Sequence, residues 1–448
     1  MDIGAASREE LLEIIAAQQA RIDVLLARVA ALEEEVRRLR GGKEPPAWVK
    51  PNRPKQEKQP RRRRGQAFMR RREEPDEIRE HAMERCPDCG GKLCGGWKHG
   101  SHQVIEIILP QVRIIEHRAM ARWCGRCRKR WIPRLESGAL GVQGRRRFGV
   151  SVQSTVATLN GAFGVPVDRI RRLLGELWGL RISNGEIVAL LDGVAQAGQQ
   201  EMARLHDQVR GSPAGCVDET GWRQDGQNGW LWTFATPQVR YFQHRKTRSG
   251  IVAEEVLGKE FKGKTICDFY AAYNRLLNEI QRCWAHLLRD LHALKEKHPD
   301  CTQAIRWAQA VKLIYEEAKA QSARATQQQW NQLQRRRLRE RFEALLEALA
   351  EPVARRLSAP HQVLAHHIMK HLGELFVFVE HPEVPADNNL AERSLRPAVT
   401  VRKISGGTRS DKGSATKTAL LSHFGTWTLR DHGLLSACRN LLLTGSPA

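Results

Sequence analysis

A chain of 448 residues, 41% of them hydrophobic, is long enough for two to four domains and can bury at least one substantial core, which excludes a mini-protein. Its 73 Lys and Arg against 50 Asp and Glu leave a formal net charge of +23, a balance that favours a polyanionic partner, nucleic acid first and an anionic membrane surface second. No stretch approaches the roughly 18 consecutive apolar residues of a spanning helix, and the amino terminus carries mixed charge instead of a signal-peptide pattern. Ten cysteines fall below disulfide-scaffold density, so the expectation is a cytoplasmic protein whose thiols bind metal.

From Leu11 to Leu39 the apolar positions advance in steps of four and three, with Ile15, Ile22, Val29 and Val36 at a and Leu11, Leu25, Leu32 and Leu39 at d. Gln18 is the polar interruption. The pattern predicts a coiled-coil dimerisation helix over 1–42, in a parallel homodimer where Arg28 meets Glu33 and Glu35 meets Arg40 across the seam. The competing reading is an amphipathic helix folded on its own chain. Gly41 and Gly42 end it.

Residues 43–80 read as a basic, extended linker. Between Lys43 and Arg72 there are twelve Lys or Arg, two Glu and five prolines, too little apolar content to bury a core. Arg61, Arg62, Arg63 and Arg64 are the candidates for gripping phosphates without reading bases, against the alternative of a merely solvated tether.

Residues 81–135 hold Cys86-Pro-Asp-Cys89 and Cys124-Gly-Arg-Cys127, separated by 34 residues. Each pair sets two sulfurs on a tight knuckle, and two knuckles supply the tetrahedral thiolate set that Zn2+ prefers. The reading is a zinc ribbon with one structural Zn2+ on Cys86, Cys89, Cys124 and Cys127, and with strands at Val104–Ile108 and Val112–Ile115. Cys94, His99 and His102 stay open as substitute ligands because the spacer is long for a ribbon.

The pattern then turns helical over 145–210, with candidates at Val150–Leu159, Val167–Leu177 and Asn184–Val194. Ser183 followed by Glu186 makes a capping box for the third. Three short helices suit a helix-turn-helix DNA reader with the last as recognition helix, helped by Arg169 and Arg172 beside Arg171 and Arg181, and a plain packing layer has the same signature.

Strands are expected at Gly215–Val217, Trp230–Ala235, Val239–Phe242 and Thr265–Cys267, with a helix at Gly250–Leu257 before the last. Asp218 and Asp268 would follow the first and fourth strands directly, where an acid can point into a cleft while its strand stays buried. Trp222, Trp230 and Trp232 read as packing residues. Of the 123 residues between Asp268 and Glu392, about 295–370 read as a helical insertion, with helices at Cys301–Ala320 and Gln327–Leu349 and a break at Pro352. The run Arg335–Arg339 is either DNA-lining or a solvated face. Glu392 is expected on a helix from Asn388 to Arg396, capped by Asp387 and stopped by Pro397. Three acids brought together repel unless cations join them, which favours hard divalent ions.

The words Asp-Glu-Thr-Gly-Trp at 218–222, Asp-x-Tyr-Ala-Ala-Tyr-Asn at 268–274, Cys-Trp-Ala-His-x-x-Arg at 283–289 and Asp-Asn-Asn-x-Ala-Glu-Arg-x-Leu-Arg-Pro at 387–397 together resemble the insertion sequence 66 family of bacterial transposases. The resemblance runs over nearly the whole chain. It implies an α/β fold with an RNase H-like catalytic core over 211–400, and an acidic triad of Asp218, Asp268 and Glu392. It also implies two Mg2+ or Mn2+ ions at that triad, DNA ends and target DNA as partners, and small accessory proteins in many relatives. A carboxy-terminal helical tail over 401–448 completes the expected organisation. His286, Arg289, Arg393, Arg396, Arg402 and Lys403 are candidates for DNA contact beside the triad, with a satisfied core histidine as the alternative for His286. The chain departs from the family at Phe269, where glycine is frequent, and at Ile404-Ser405-Gly406-Gly407, where the glycine turn lacks its phenylalanine. Two rival functions remain: a catalytically silent zinc-containing DNA-binding regulator, and a nuclease that cuts without joining.

Overall fold

The computed structural model describes residues 23–25, 27–29, 32, 74–95, 103, 105, 111–133, 147–356 and 359–447. They fall into two units, Met1–Glu106 and Ile107–Ala448. In the first, residues 23–25, 27–29 and 32 are helical, and the seam residues Leu25, Val29 and Leu32 are exposed. The rest of the predicted coil and Arg61, Arg62, Arg63 and Arg64 lie outside the described residues. Cys86 heads a tight turn in which Cys86 donates its N–H to Gly91 and accepts one from Gly90.

In the second unit, strands β1 (Arg122–Cys124) and β2 (Lys129–Trp131) form an antiparallel hairpin around the second cysteine pair, with Cys124 opposite Lys129. The strand expected at Val112–Ile115 is absent. Those residues are exposed and without a ladder partner among the described residues, and β-branched composition cannot hold a strand that has no neighbour to bond.

The three expected helices form as α1 (Val150–Gly161), α2 (Val167–Trp178) and α3 (Asn184–Ala197), followed by α4 (Gln199–Arg210). Gly179 ends α2 in the left-handed conformation, and the Ser183/Glu186 capping box starts α3.

A five-stranded mixed sheet follows: β3 (Ala214–Gly221), β4 (Trp230–Ala235), β5 (Arg240–Arg245), β6 (Lys264–Cys267) and β7 (Ile280–Arg282), in the order β5-β4-β3-β6-β7. The first three form an antiparallel meander, and helix α5 (Ile251–Leu257) carries the chain across to β6, which lies parallel to β3 and to β7. Strand β7 escapes sequence reasoning because it is three residues long and two of them are the buried polar Gln281 and Arg282. Strand β3 alternates as a two-sided strand must. Cys216 joins the core made by the helices between Trp284 and Ala391, and Val217 joins the core shared with α4 and α5.

Beyond β7 come α6 (Trp284–Lys297), α7 (Thr302–Gln327), α8 (Gln332–Ala354), α9 (Gln362–Lys370), α10 (Val377–Glu380), α11 (Asn389–Ser405), α12 (Asp411–Leu429) and α13 (Leu434–Thr444). Two expected helix breaks do not occur, since α8 passes Pro352 and α11 passes Pro397. In α11 one face buries Ala391, Leu395, Ala398 and Val401, and that burial outweighs the roughly 3 kcal/mol of an interior proline. The basic run on α8 is structural at two positions. Arg335 is buried and bonds the carbonyl of Val379 and the hydroxyl of Thr326, while Arg339 bridges Glu279, Glu343 and Glu380.

The segment beyond 401 does not stand apart from the rest. Leu420, Phe424, Trp427, Cys438 and Leu441 complete the apolar core of α1–α3, and α12 also lies along β5, where Ser422 and Thr426 accept N–H bonds from Phe242 and Arg240.

Candidate active site

The position of Asp218 follows from the sheet. Parallel pairing of β3 with β6 runs from Ala214↔Lys264 to Cys216↔Ile266, so the register continued by two residues sets Asp218 beside Asp268. By strand alternation both belong to the face that carries Cys216 and Ile266. Asp268 follows the end of β6 as expected. Asp218 differs from expectation, since it lies inside β3, which continues to Gly221 paired with β4, Asp218 facing Thr233. The strand outlasts the apolar run because the β3–β4 meander satisfies its backbone on one edge after β6 has stopped. The other edge is left free for a cleft.

Glu392 is carried to the same place by α11, whose two ends are tied to β3 on either side of Asp218. At its start, buried Asn388 donates from Nδ2 to the carbonyl of Val217 at 2.8 Å, and its N–H reaches Cys283 Sγ at 3.1 Å. Asp387 accepts the N–H of Asn389 at 3.1 Å in a local turn. The helix begins one residue later than expected, with Asn388 and not Asp387 at its N-cap position and its side chain turned to β3 instead of capping. Near the other end, Arg402 donates to Thr220 Oγ1 at 3.0 Å and to the carbonyl of Gly221. Gly406 and Gly407 then turn the chain against the β3–β4 connection. Gly407 has φ +109°, and a Cβ there would lie 2.0 Å from the carbonyl oxygen of Arg223, so only glycine fits. Thr408 next to it accepts from Trp222 Nε1 at 3.2 Å.

Asp218 and Glu392 line one open cleft of about 460 Å3, together with Glu219, Thr220, Leu395, Arg396, Val399 and Thr400. Burial, then the neighbouring charges of Glu219, Asp268 and Glu392, push the Asp218 carboxyl up to about 7. Asp218 thus feels three further acids, of which Glu219 is engaged on the other face of β3. The oxygens of Asp218, Asp268 and Glu392 do not all lie within 4.8 Å of one another among the described residues, and a divalent cation between them would relieve the repulsion on Asp218.

Residues that sequence reasoning passed over hold this arrangement. Arg282, with its side chain fully buried, donates to the carbonyl of Asp268 at 2.8 Å and to Asn274 Oδ1, and pairs with Glu374. Asp268 Oδ1 accepts the N–H of Tyr270 at 2.9 Å. On the opposite face of β3, Glu219 accepts from Arg248 at 2.7 Å and from Tyr273 Oη, and the Arg248 guanidinium lies 3.9 Å from the centre of the Tyr270 ring. Burial raises the Glu219 carboxyl while these two donors pull it down. Glu219 and the two tyrosines stand inside the quoted motif words, so their signal was present. Arg282 had none, because its partners lie up to 92 residues away. Phe269 packs edge-on against His367 and His371, at 4.4 and 5.4 Å between ring centres, which gives its ring a packing role.

Among the expected DNA contacts, Arg396 lines the cleft, and Arg393 and Lys403 are exposed. Arg289 reaches Glu392 Oε1 at 3.3 Å and His286 Nε2 at 3.2 Å, and His286 Nδ1 lies 3.8 Å from Glu392. Arg402 is already engaged by β3. On α2, Arg172 and Arg171 pair with Asp168 at 2.9 Å each, and Arg169 is exposed. The exposed face of α3 offers Asn184, Glu186 and Val188 and no cation, while Asp192 on its buried side is held by Thr416 and Lys412.

In each cysteine knuckle the backbone prepares a thiolate. N–H groups of Cys89 and then Asp88 hold the Cys86 thiol below its usual range, and the N–H of Cys127 does the same for Cys124. Among the described residues, no helix is long and apolar enough to cross a membrane.

A comparison with curated proteins finds no match. The family description Transposase IS66 family matches residues 145–416, from the start of the helical trio into α12, and spans every carboxylate of the cleft. With more than half of its length covered by that match, the chain belongs to the IS66 family of transposases.

Proposed function

We propose that this transposase binds the ends of its mobile element and cuts and rejoins DNA at the cleft between β3 and α11, on an RNase H-like core with Asp218, Asp268 and Glu392 as its catalytic carboxylates. The observation that carries the reading is the register of β3 and β6. It sets Asp218 and Asp268 side by side, and α11, tied to β3 at both ends, brings Glu392 to the same cleft. Two hard divalent ions, Mg2+ or Mn2+, held by these oxygens would supply positive charge to a phosphoryl group and ease deprotonation of an attacking hydroxyl.

The chain's own residues do the rest. Asn388, Arg402 and Arg282 fix the carboxylates in place before DNA arrives, so little reorganisation is left for the reaction. Arg396 and Thr400, one and two turns along α11 from Glu392, face the same cleft and suit phosphate oxygens. Arg393, Lys403 and Arg289 border it and steer the backbone, with His286 beside them. In the first step water attacks a phosphodiester at the element end and frees a 3′-hydroxyl. In the second that hydroxyl attacks target DNA. Each step forms one P–O bond as another breaks, and no enzyme ester is needed.

Around this core the reading includes one structural Zn2+ on Cys86, Cys89, Cys124 and Cys127, DNA contact by Arg61, Arg62, Arg63 and Arg64 and by α2 through Arg169 and Arg172, and pairing of two chains through the amino-terminal coil. Accessory proteins and action in the cytoplasm complete it. Replacing Asp218, Asp268 or Glu392 by Ala should abolish metal-dependent nicking and strand transfer while end binding persists in a mobility-shift assay. Undiminished nicking in all three variants would falsify the assignment. Nicking without joined product in the wild type would leave a nuclease, and end binding without nicking a regulator.

A further inference from the structure

The sequence shows Cys283 and His286 as a pair with no second pair nearby, too few ligands for a metal. The fold supplies a third. Ligand atoms of Cys283, His286 and Glu392 lie within 4.8 Å of one another, with Glu392 brought by α11 from 106 positions beyond His286.

We propose that Cys283, His286 and Glu392 form a site for a thiophilic divalent cation of the Zn2+ kind, and that filling it withdraws Glu392 from the catalytic carboxylates and so inhibits the enzyme. The inhibitory half rests on the catalytic reading of Glu392, whereas the binding half stands without it.

The donor set is the first argument. A thiolate, an imidazole and one carboxylate suit Zn2+ and poorly suit Mg2+, which takes oxygen and keeps its waters. The second is the state of each donor. Cys283 heads α6. Burial raises its thiol, the N–H groups of Asn388, His286 and Ala285 at its sulfur pull it back down in part, and the charge of a bound cation is what would displace the proton to solvent. His286 Nδ1 is buried with no hydrogen-bond partner among the described residues and faces Glu392 Oε1 at 3.8 Å. Arg289 can only donate, so in the metal-free state His286 Nε2 accepts and the ring proton sits on Nδ1. Once Arg289 leaves and that proton moves to Nε2, the Nδ1 lone pair faces the space between the other two ligands. The third is access. Cys283 is fully buried, but the side chains of His286 and Glu392 are 30% and 28% exposed, so an ion enters from their side. Arg289, which holds Glu392 in the metal-free state, has a side chain 62% exposed and is free to swing into solvent.

The test uses the full-length protein. Co2+ is titrated and followed by its thiolate-to-metal absorption, to which the knuckle cysteines also contribute, so the wild type is compared with Cys283→Ser, which keeps an acceptor for the Asn388 N–H. The variant should bind one equivalent fewer with a weaker thiolate band, and wild-type stoichiometry and band in a folded variant would overturn the site. If circular dichroism shows Cys283→Ser misfolded, His286→Gln serves the same titration, and its affinity at this site should fall about 10-fold or more. In parallel, Zn2+ is added to Mg2+-dependent nicking of a supercoiled plasmid carrying the element, each protein measured against its own zinc-free rate. Cys283→Ser should need about 10-fold more Zn2+ for the same inhibition, and equal sensitivity would overturn the inhibitory half. Absence of any nicking by the wild type sinks the transposase chemistry, while the cobalt count still decides the site.

Discussion

The carboxylate cleft and the cysteine knuckles both carry donor types that suit metal ions, and they are built in opposite ways. Cys86–Cys89 and Cys124–Cys127 are local, with each pair set by one tight turn whose residues are mostly exposed and whose backbone N–H groups serve the sulfurs. Asp218, Asp268 and Glu392 are far apart in the chain, and buried or half-buried bonds from Asn388, Arg402 and Arg282 hold the elements that carry them. A local site draws its order from the ion, and its thiolates are ready for one. A site imposed by the core exists before the ion arrives and carries like-charge repulsion until then.

The largest expected effect tests the core side of that contrast. Arg282→Met removes a buried cation from Glu374 and leaves the carbonyl of Asp268 without that donor. Urea unfolding should show a loss of roughly 3–5 kcal/mol, as for other broken buried pairs. Adding Glu374→Gln should recover part of it, and a single variant as stable as the wild type would mean that the network does not hold Asp268.

A smaller effect comes from the repulsion itself. The Asp218 carboxyl is raised from 3.8 to about 7 in the fold, so between those values the folded state binds more protons than the unfolded one, and stability falls as pH rises from about 4 to about 7. In the absence of divalent ions the loss should be about 1–3 kcal/mol. It should shrink when Mg2+ is added and fall to the smaller contribution of Glu219 in Asp218→Asn. A flat profile in metal-free wild type would contradict the electrostatic account.

The smallest effect on the core sharpens the comparison. Stripping Zn2+ with a thiol-competent chelator should expose both knuckles to protease and leave the unfolding midpoint of the sheet within about 0.5 kcal/mol. A coincident loss of the sheet would show that the two sites are not independent.

Much of the candidate cleft's framework was legible in advance because its local signals are strong. Asp218 and Asp268 adjoin short apolar β runs, Ser183 and Glu186 announce a helix start, and two Cys-x-x-Cys words are hard to read otherwise. The misreadings have one cause. Pro352 and Pro397 look like stops, Gly215–Val217 looks like a whole strand, and Val112–Ile115 looks like strand. In each case the outcome turned on whether a distant partner was present to bury a face or complete a ladder. The Arg335–Arg339 run was ambiguous for the same reason, since a cation on a helix shows nothing in sequence of the acids that will meet it.

By itself the sequence determined which residue types were available: three acids in distinctive words, two thiol pairs, a basic surplus and the alternation that makes β3 two-sided. Only the tertiary structure decided that Asn388 and Arg402 would grip β3 on both sides of Asp218, that Arg282 would pin Asp268, and that Cys283 and His286 would meet Glu392. Local preferences act over a few residues, whereas these contacts join elements up to 182 residues apart. They form only once a common core has brought those elements together.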